Sequence, residues 1–234
     1  MTTDQTFHGF SRDTITFLKD LKKHNDREWF NAHKDIYTGQ VIGPAQALVT
    51  DLGERLKEIA PGVIAVPKPN RSIFRIYRDT RFSSDKSPYK THLGIFLWEG
   101  IRPRMECPGF YFHLEPPNLM LGMGLYMFPR KALEHFRNAV VDPEHGAELT
   151  DILSQLEGME GYTLGGKHYK RIPPGFDSGH PNAELLRHNG LYAGIEGPIP
   201  EELYSERLLD YCMERFAPLG GLHRWLVGLN NRIF

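Results

Sequence analysis

Three short stretches in the middle of the chain set an aliphatic or aromatic apolar residue at every second position, and they constrain the fold more than any other feature. Leu93, Ile95 and Leu97 alternate with Gly94, Phe96 and Trp98. Phe110, Phe112 and Leu114 alternate with Tyr111, His113 and Glu115. Leu119, Leu121, Met123 and Leu125 alternate with Met120, Gly122, Gly124 and Tyr126. A period of two sends successive side chains to opposite faces of a strand. Pro116, Pro117 and Asn118 supply a turn between the last two stretches. Upstream, Ser72, Phe74, Ile76 and Arg78 alternate with Ile73, Arg75, Tyr77 and Asp79. This predicts a further strand with Phe74 and Ile76 on the core and Arg75 and Tyr77 opposite. Consecutive strands with short turns form an antiparallel meander with one face on helices. The expected class is α+β, with a central antiparallel sheet over about 73–127 flanked by N- and C-terminal helices.

The flanks carry helical spacing. Ser11 is placed to cap a helix running to about His24, with Ile15, Leu18 and Leu21 as its apolar stripe. Asp26 caps a second one, on which Trp29, Phe30, His33 and Tyr37 recur at helical spacing and read as core packing. Gly43 and Pro44 open a third helix, with Ala45, Leu48, Leu52, Leu56 and Ile59 along one side. Pro61 to Asn70 reads as a connector too short and too apolar to separate two folds, so 1–234 is expected to be one domain. Pro129 starts a helix to about Val141, and another follows Glu144. The stretch from Gly158 to Pro181, rich in Gly and Pro, reads as a long irregular loop. Further helices are expected from Pro181 to His188, from Glu201 to Phe216 and from Leu219 to Leu229.

The segment RSIFRIYRDTRFSSDKSPYKTH, residues 71–92, sets Arg71, Arg75, Arg78, Arg81, Lys86 and Lys90 among Phe74, Tyr77, Phe82 and Tyr89. Only Asp79 and Asp85 offset those cations, while the whole chain has a formal net charge of -1. The positive concentration is therefore local, and the chain lacks the global basic field common in nucleic-acid binders. Arg forks among aromatics suit an anionic or planar partner. Arg78 should be largely buried and paired with Asp79, another carboxylate or a bound anion. A salt-bridged strand end with a solvated loop accounts for the same residues without a ligand.

Four stretches, HNDREWFNAHKDIY, FRIYRDTRFSSDKSPYKTH, GFYFHLEP and YKRIPPGFDSGHP, resemble the signature of the domain-of-unknown-function family 2461 of bacteria and fungi. Together they span most of the chain. The resemblance implies one domain of that family and carries over no activity, cofactor or catalytic residue.

Walker, dinucleotide-binding, nucleophile-elbow and HExxH motifs are absent. Cys107 and Cys212 fit no metal spacing and suit a reducing compartment. His113 with Glu115, or Asp177 with His180, are pairs that arise often by chance, so neither a metal nor another cofactor is expected. The leading reading is a binder of, or an enzyme acting on, a phosphorylated or carboxylated small molecule. Arg75, Tyr77, Arg78, Arg81, Lys86, Lys90 and Tyr111 would hold the ligand, helped by Lys170 and Arg171 from a second cationic stretch. That stretch, Lys167 to His180, would close as a lid over the sheet face bearing His113. His113 is the best general acid or base there. The alternative is a non-catalytic nucleic-acid or protein-binding module using the same basic stretch, with Tyr77 or Tyr89 stacking on bases. No membrane partner is expected, because no apolar run approaches a membrane span. The opening MTTDQTFHGF lacks signal-peptide regions, which places the expectation in the cytoplasm. Whether the protein catalyses a reaction, and in what oligomeric state, is left open by the sequence.

Overall fold

The structure is a computed structural model that describes residues 6–231. Ser11 caps α1 (Arg12–Lys23) by accepting from the Thr14 amide, and Asp26 caps α2 (Arg27–Ala32) through Trp29. The aromatic stripe does not continue as one helix. The chain breaks at His33, takes one turn in α3 (Lys34–Ile36), and passes through a π-helical turn over Tyr37–Ile42 into α4 (Gly43–Leu56). Phe30 is buried, and Trp29 and Tyr37 pack against the core as expected. Later come α5 (Arg130–Val141), α6 (Pro143–Glu157), α7 (Leu208–Phe216) and α8 (Gly220–Asn231).

The sheet is antiparallel throughout, as the alternating stretches require. Its strands are β1 (Val63–Ile64), β2 (Leu93–Glu99), β3 (Gly109–Glu115), β4 (Asn118–Leu125), β5 (Tyr162–Lys167) and β6 (His188–Pro198). Their spatial order is β1-β2-β3-β4-β6-β5. The core face is the one the pattern marked: Ile95, Phe110, Phe112, Leu114 and Leu121 are all buried. Phe110 meets Phe216 of α7 at 5.1 Å and His223 of α8 at 4.8 Å, and Phe112 stacks on Phe10 at 6.2 Å. Truncating a buried phenylalanine in such a layer costs about 3–5 kcal/mol.

Several expectations are corrected. The sheet does not end near 127: β5 lies inside the stretch read as loop, and β6 follows it. Both are glycine-rich, and β5 is an edge strand with a register shift between Gly165 and Lys167, so neither shows a strong apolar alternation. Pro61 to Asn70 holds β1. The expected 181–188 helix is a 3-10 turn over Ala183–Arg187, and the 201–216 helix starts only at Leu208, after a 3-10 turn at Glu201–Tyr204.

The expected strand over 73–79 is also absent. Ile73 makes an isolated bridge to Ile95, with Phe74 N–H donating to the Gly94 carbonyl at 2.9 Å, and the chain then leaves the β2 edge. Ile73 and Ile76 face the core, and Phe74 goes to the other side, where it packs with Phe96, Trp98, Cys107, Val66 and Tyr111. The local spacing of buried residues is three rather than two because the backbone turns away from the sheet between them. Residues 78–88 then form an excursion closed by a Tyr77–Tyr89 bridge. Tyr89 anchors it by stacking on Phe30 at 4.2 Å and, through its backbone, by accepting from and donating to the Asn25 side chain.

Candidate functional site

Helices cover one face of the sheet, and the strand register sets what the other face presents. Gly94, His113, Met120 and Glu196 stand in one row across β2, β3, β4 and β6. Phe96, Tyr111, Gly122, Gly194 and Thr163 form the next row, and Trp98, Gly109, Gly124, Tyr192 and Gly165 the third. Missing side chains at the centre of these rows leave a trough of ≈ 590 Å³. The trough is open at Gly122. Near Gly109 it is filled by Phe96, whose ring would lie 2.7 Å from a Cβ there.

At one end of the trough Phe74 stands edge-on to Tyr111, with ring centroids 5.9 Å apart. Lys90 Nζ lies 5.2 Å from the Phe74 centroid, and the Arg104 guanidinium 4.7 Å from it. Burial pushes the Lys90 ammonium down, and Arg75 and Arg104 push it further. Burial and Arg71 do the same to Arg104. Arg104 Nη1 is buried with no hydrogen-bond partner among the described residues. The ion pairs of neighbouring cations engage Arg78, Arg81 and Arg102, and none reaches Arg71, Arg75, Lys90 or Arg104 among the described residues. Lys90 and Arg104, partly desolvated and outside these ion pairs, create a local field that favours an anion.

Farther along β3, the Tyr111 hydroxyl is 2.8 Å from Nδ1 of His113, and His113 Nε2 is 3.5 Å from Glu115 Oε2. His92, just before β2, lies against His113 with ring centroids 4.3 Å apart. Burial, then His113, lowers His92 to about 4. Burial and the Glu115 charge raise Tyr111 to about 12. Burial pulls Glu115 upward, but the hydrogen bond from His113 and the nearby His92 and Lys22 outweigh it and hold the carboxyl low. Both ring nitrogens of His113 are engaged, which fixes the orientation of the ring.

The sequence candidates divide accordingly. Lys90, Tyr111 and His113 lie on this face, while Arg75 is exposed and acts by its charge on both Lys90 and Asp79. Arg78 has a side chain 28% exposed and is paired with a carboxylate, that of Asp85 rather than Asp79. Arg81 pairs with Asp79 at 2.7 Å, and Lys86 donates to the Thr80 carbonyl at 2.9 Å. The excursion's two acids, Asp79 and Asp85, thus answer its two arginines, and Lys86 is held by a carbonyl. Tyr77 is exposed and turns toward Tyr89 and Phe30, away from His113. Lys170 and Arg171 are exposed on a stretch that packs elsewhere: Tyr169 lies under Arg137 of α5, and Lys167 pairs with Glu184. The trough is lined by residues 163–165 of β5 but by none of 167–181, so that stretch does not cover it as a lid. Arg104 and His92 escaped the sequence reading. The signals were Arg102 and Arg104 before β3, and a histidine two residues ahead of a strand glycine.

Residues 13–225 match the family described as "Conserved hypothetical protein (DUF2461)". The chain belongs to that family. Within this DUF2461 chain the matched range contains the trough, the cation cluster and the His92–His113–Glu115 group. Comparison with curated proteins finds no match. No helix among the described residues is long and apolar enough to cross a membrane.

Proposed function

We propose that the protein binds an anionic small molecule, phosphorylated or carboxylated, on the open face of its sheet. The charged group sits among Arg71, Arg75, Lys90 and Arg104, and the body lies along the trough beside Tyr111 and Met120. The observation that carries this reading is the meeting of Lys90 and Arg104 on Phe74, both partly desolvated and neither in an ion pair among the described residues. A bound anion would accept from the otherwise unpartnered Arg104 Nη1 and relieve the mutual repulsion. Concavity favours a small molecule over a polymer, since Phe74, which Lys90 and Arg104 flank, also lines a trough made mostly of glycine, aromatic and methionine residues.

Calorimetry with phenyl phosphate tests it, because that probe joins an anion to an apolar body. A charged hydrogen bond contributes roughly 1.5–3 kcal/mol, so Arg104→Gln should weaken binding about ten- to a hundredfold. Arg81→Gln, which removes a self-neutralised loop cation, should leave it unchanged. Equal weakening by the two variants would sink the reading. So would tight, steeply salt-dependent binding of a short oligonucleotide with none of phenyl phosphate.

A further inference from the structure

His92, His113 and Glu115 each present one donor atom toward a common point, with all three atoms within 4.8 Å of one another. We propose that they form a site for one divalent transition-metal ion of the zinc class, with an open coordination position. The fold supplies what the sequence expectation lacked. His113 and Glu115 alone are an i,i+2 pair, which any strand face can produce. The antiparallel pairing of β2 with β3 brings His92 beside them as the third ligand, and Gly94 opposite His113 keeps that row free of another side chain.

The distances suit the ion. Ligands about 2.0–2.1 Å from a tetrahedral zinc lie about 3.3 Å apart, and His113 Nε2 is 3.5 Å from Glu115 Oε2. Two imidazoles on one such ion place their ring centroids about 5 Å apart. His92 and His113 stand at 4.3 Å, so a small separation of the two rings admits the ion. The surroundings also match. A metal-bound histidine donates its other N–H to a fixed acceptor, and Nδ1 of His113 faces the Tyr111 hydroxyl at 2.8 Å. The second carboxylate oxygen of Glu115 accepts from Thr91 Oγ1 at 3.3 Å and lies 3.7 Å from Lys22 Nζ. Three protein ligands with an accessible fourth position are the pattern of reactive rather than purely structural zinc sites. Here the accessible side is a cavity of ≈ 300 Å³ reaching His113, Glu115, Met120 and Glu196. Met120 and Glu196 also line the trough, so the ion would face the same space as a ligand held there.

The test is equilibrium dialysis of the metal-stripped full chain against Zn²⁺, with no organic anion present. That keeps its outcome separate from anion binding, which is measured on the stripped protein. One ion per chain is expected, and Co²⁺ should give the visible absorption of a four- or five-coordinate ion. His92→Gln and Glu115→Gln should each lower affinity at least a hundredfold. Tyr111→Phe, which keeps all three ligands, should lower it about ten- to a hundredfold. Circular dichroism of each variant checks the fold, and Tyr111→Phe carries the test if a ligand variant does not fold. Affinity unchanged in His92→Gln, or in a folded Tyr111→Phe, would overturn the site. So would stoichiometric binding that persists in the His92→Gln, Glu115→Gln double variant.

Discussion

Charge at single residues separates the two halves of the basic stretch. Arg78, Arg81 and Lys86 have partners within the same excursion, whereas the ion pairs among the described residues leave out Arg71, Arg75 and Lys90. Sequence could count the cations but not pair them, because pairing depends on where the chain turns after Phe74. Asp79 reports the difference. Hydrogen bonds from the Arg81 side chain, then from its backbone, hold the carboxyl at about 2. A carboxyl lowered by its folded surroundings contributes stability above its ordinary value and loses it as pH falls through the folded one. An NMR titration should therefore find a midpoint near 2 for Asp79. Arg81→Gln should raise it toward about 3.9, and Arg104→Gln should leave it in place. A wild-type midpoint in the ordinary carboxylate range would show that Arg81 is not committed to Asp79 and is free for a ligand.

At the scale of elements, the meander was legible because β2, β3 and β4 bury one full side of their alternation. β6 was not, since Gly190, Gly194 and Gly197 interrupt its pattern, and β5 was hidden by Gly165 and Gly166. Two of those interruptions, Gly165 and Gly194, line the trough together with Gly109, Gly122 and Gly124. Its glycines are not equivalent. A Cβ at Gly124, where φ is +150°, would lie 2.4 Å from the Leu191 carbonyl oxygen and from Tyr192 Cα, and one at Gly194 would lie 2.7 Å from the Leu121 carbonyl oxygen. At Gly122 the closest approach is 3.2 Å, to the Ala193 carbonyl oxygen, which a shift of a few tenths of an ångström relieves. Gly122→Leu should thus fold with nearly normal thermal stability and block phenyl phosphate by filling the trough. Gly124→Leu should be strongly destabilised instead. If Gly122→Leu binds like the wild type, the ligand does not lie in the trough.

Over the whole molecule, the decisive asymmetry is a sheet packed by α4, α7 and α8 on one face and left partly open on the other. The helices and the core alternation made the closed face readable. The open face was readable only as a list of polar residues, because its site joins Arg104 and His92 to β3 through long-range pairing. The closed face carries its own titratable element. His223 of α8 is 1% exposed, tilted against Phe110, with Nε2 2.9 Å from Glu99 Oε2 at the end of β2. Its Nδ1 is buried without a partner among the described residues, and burial lowers the imidazole below its ordinary 6.5 despite the Glu99 carboxylate. The folded ring is then neutral where the unfolded chain already binds a proton. The unfolded state holds more protons in that range, so stability rises with pH there and falls as pH drops below 6.5. Chemical denaturation from about pH 7 to about pH 5 should lose more stability in the wild type than in His223→Gln. The glutamine keeps an amide donor for Glu99 but cannot take up the proton. Parallel losses in the two proteins would mean that the Glu99 carboxylate cancels the effect of burial, and a smaller loss in the wild type that it outweighs it.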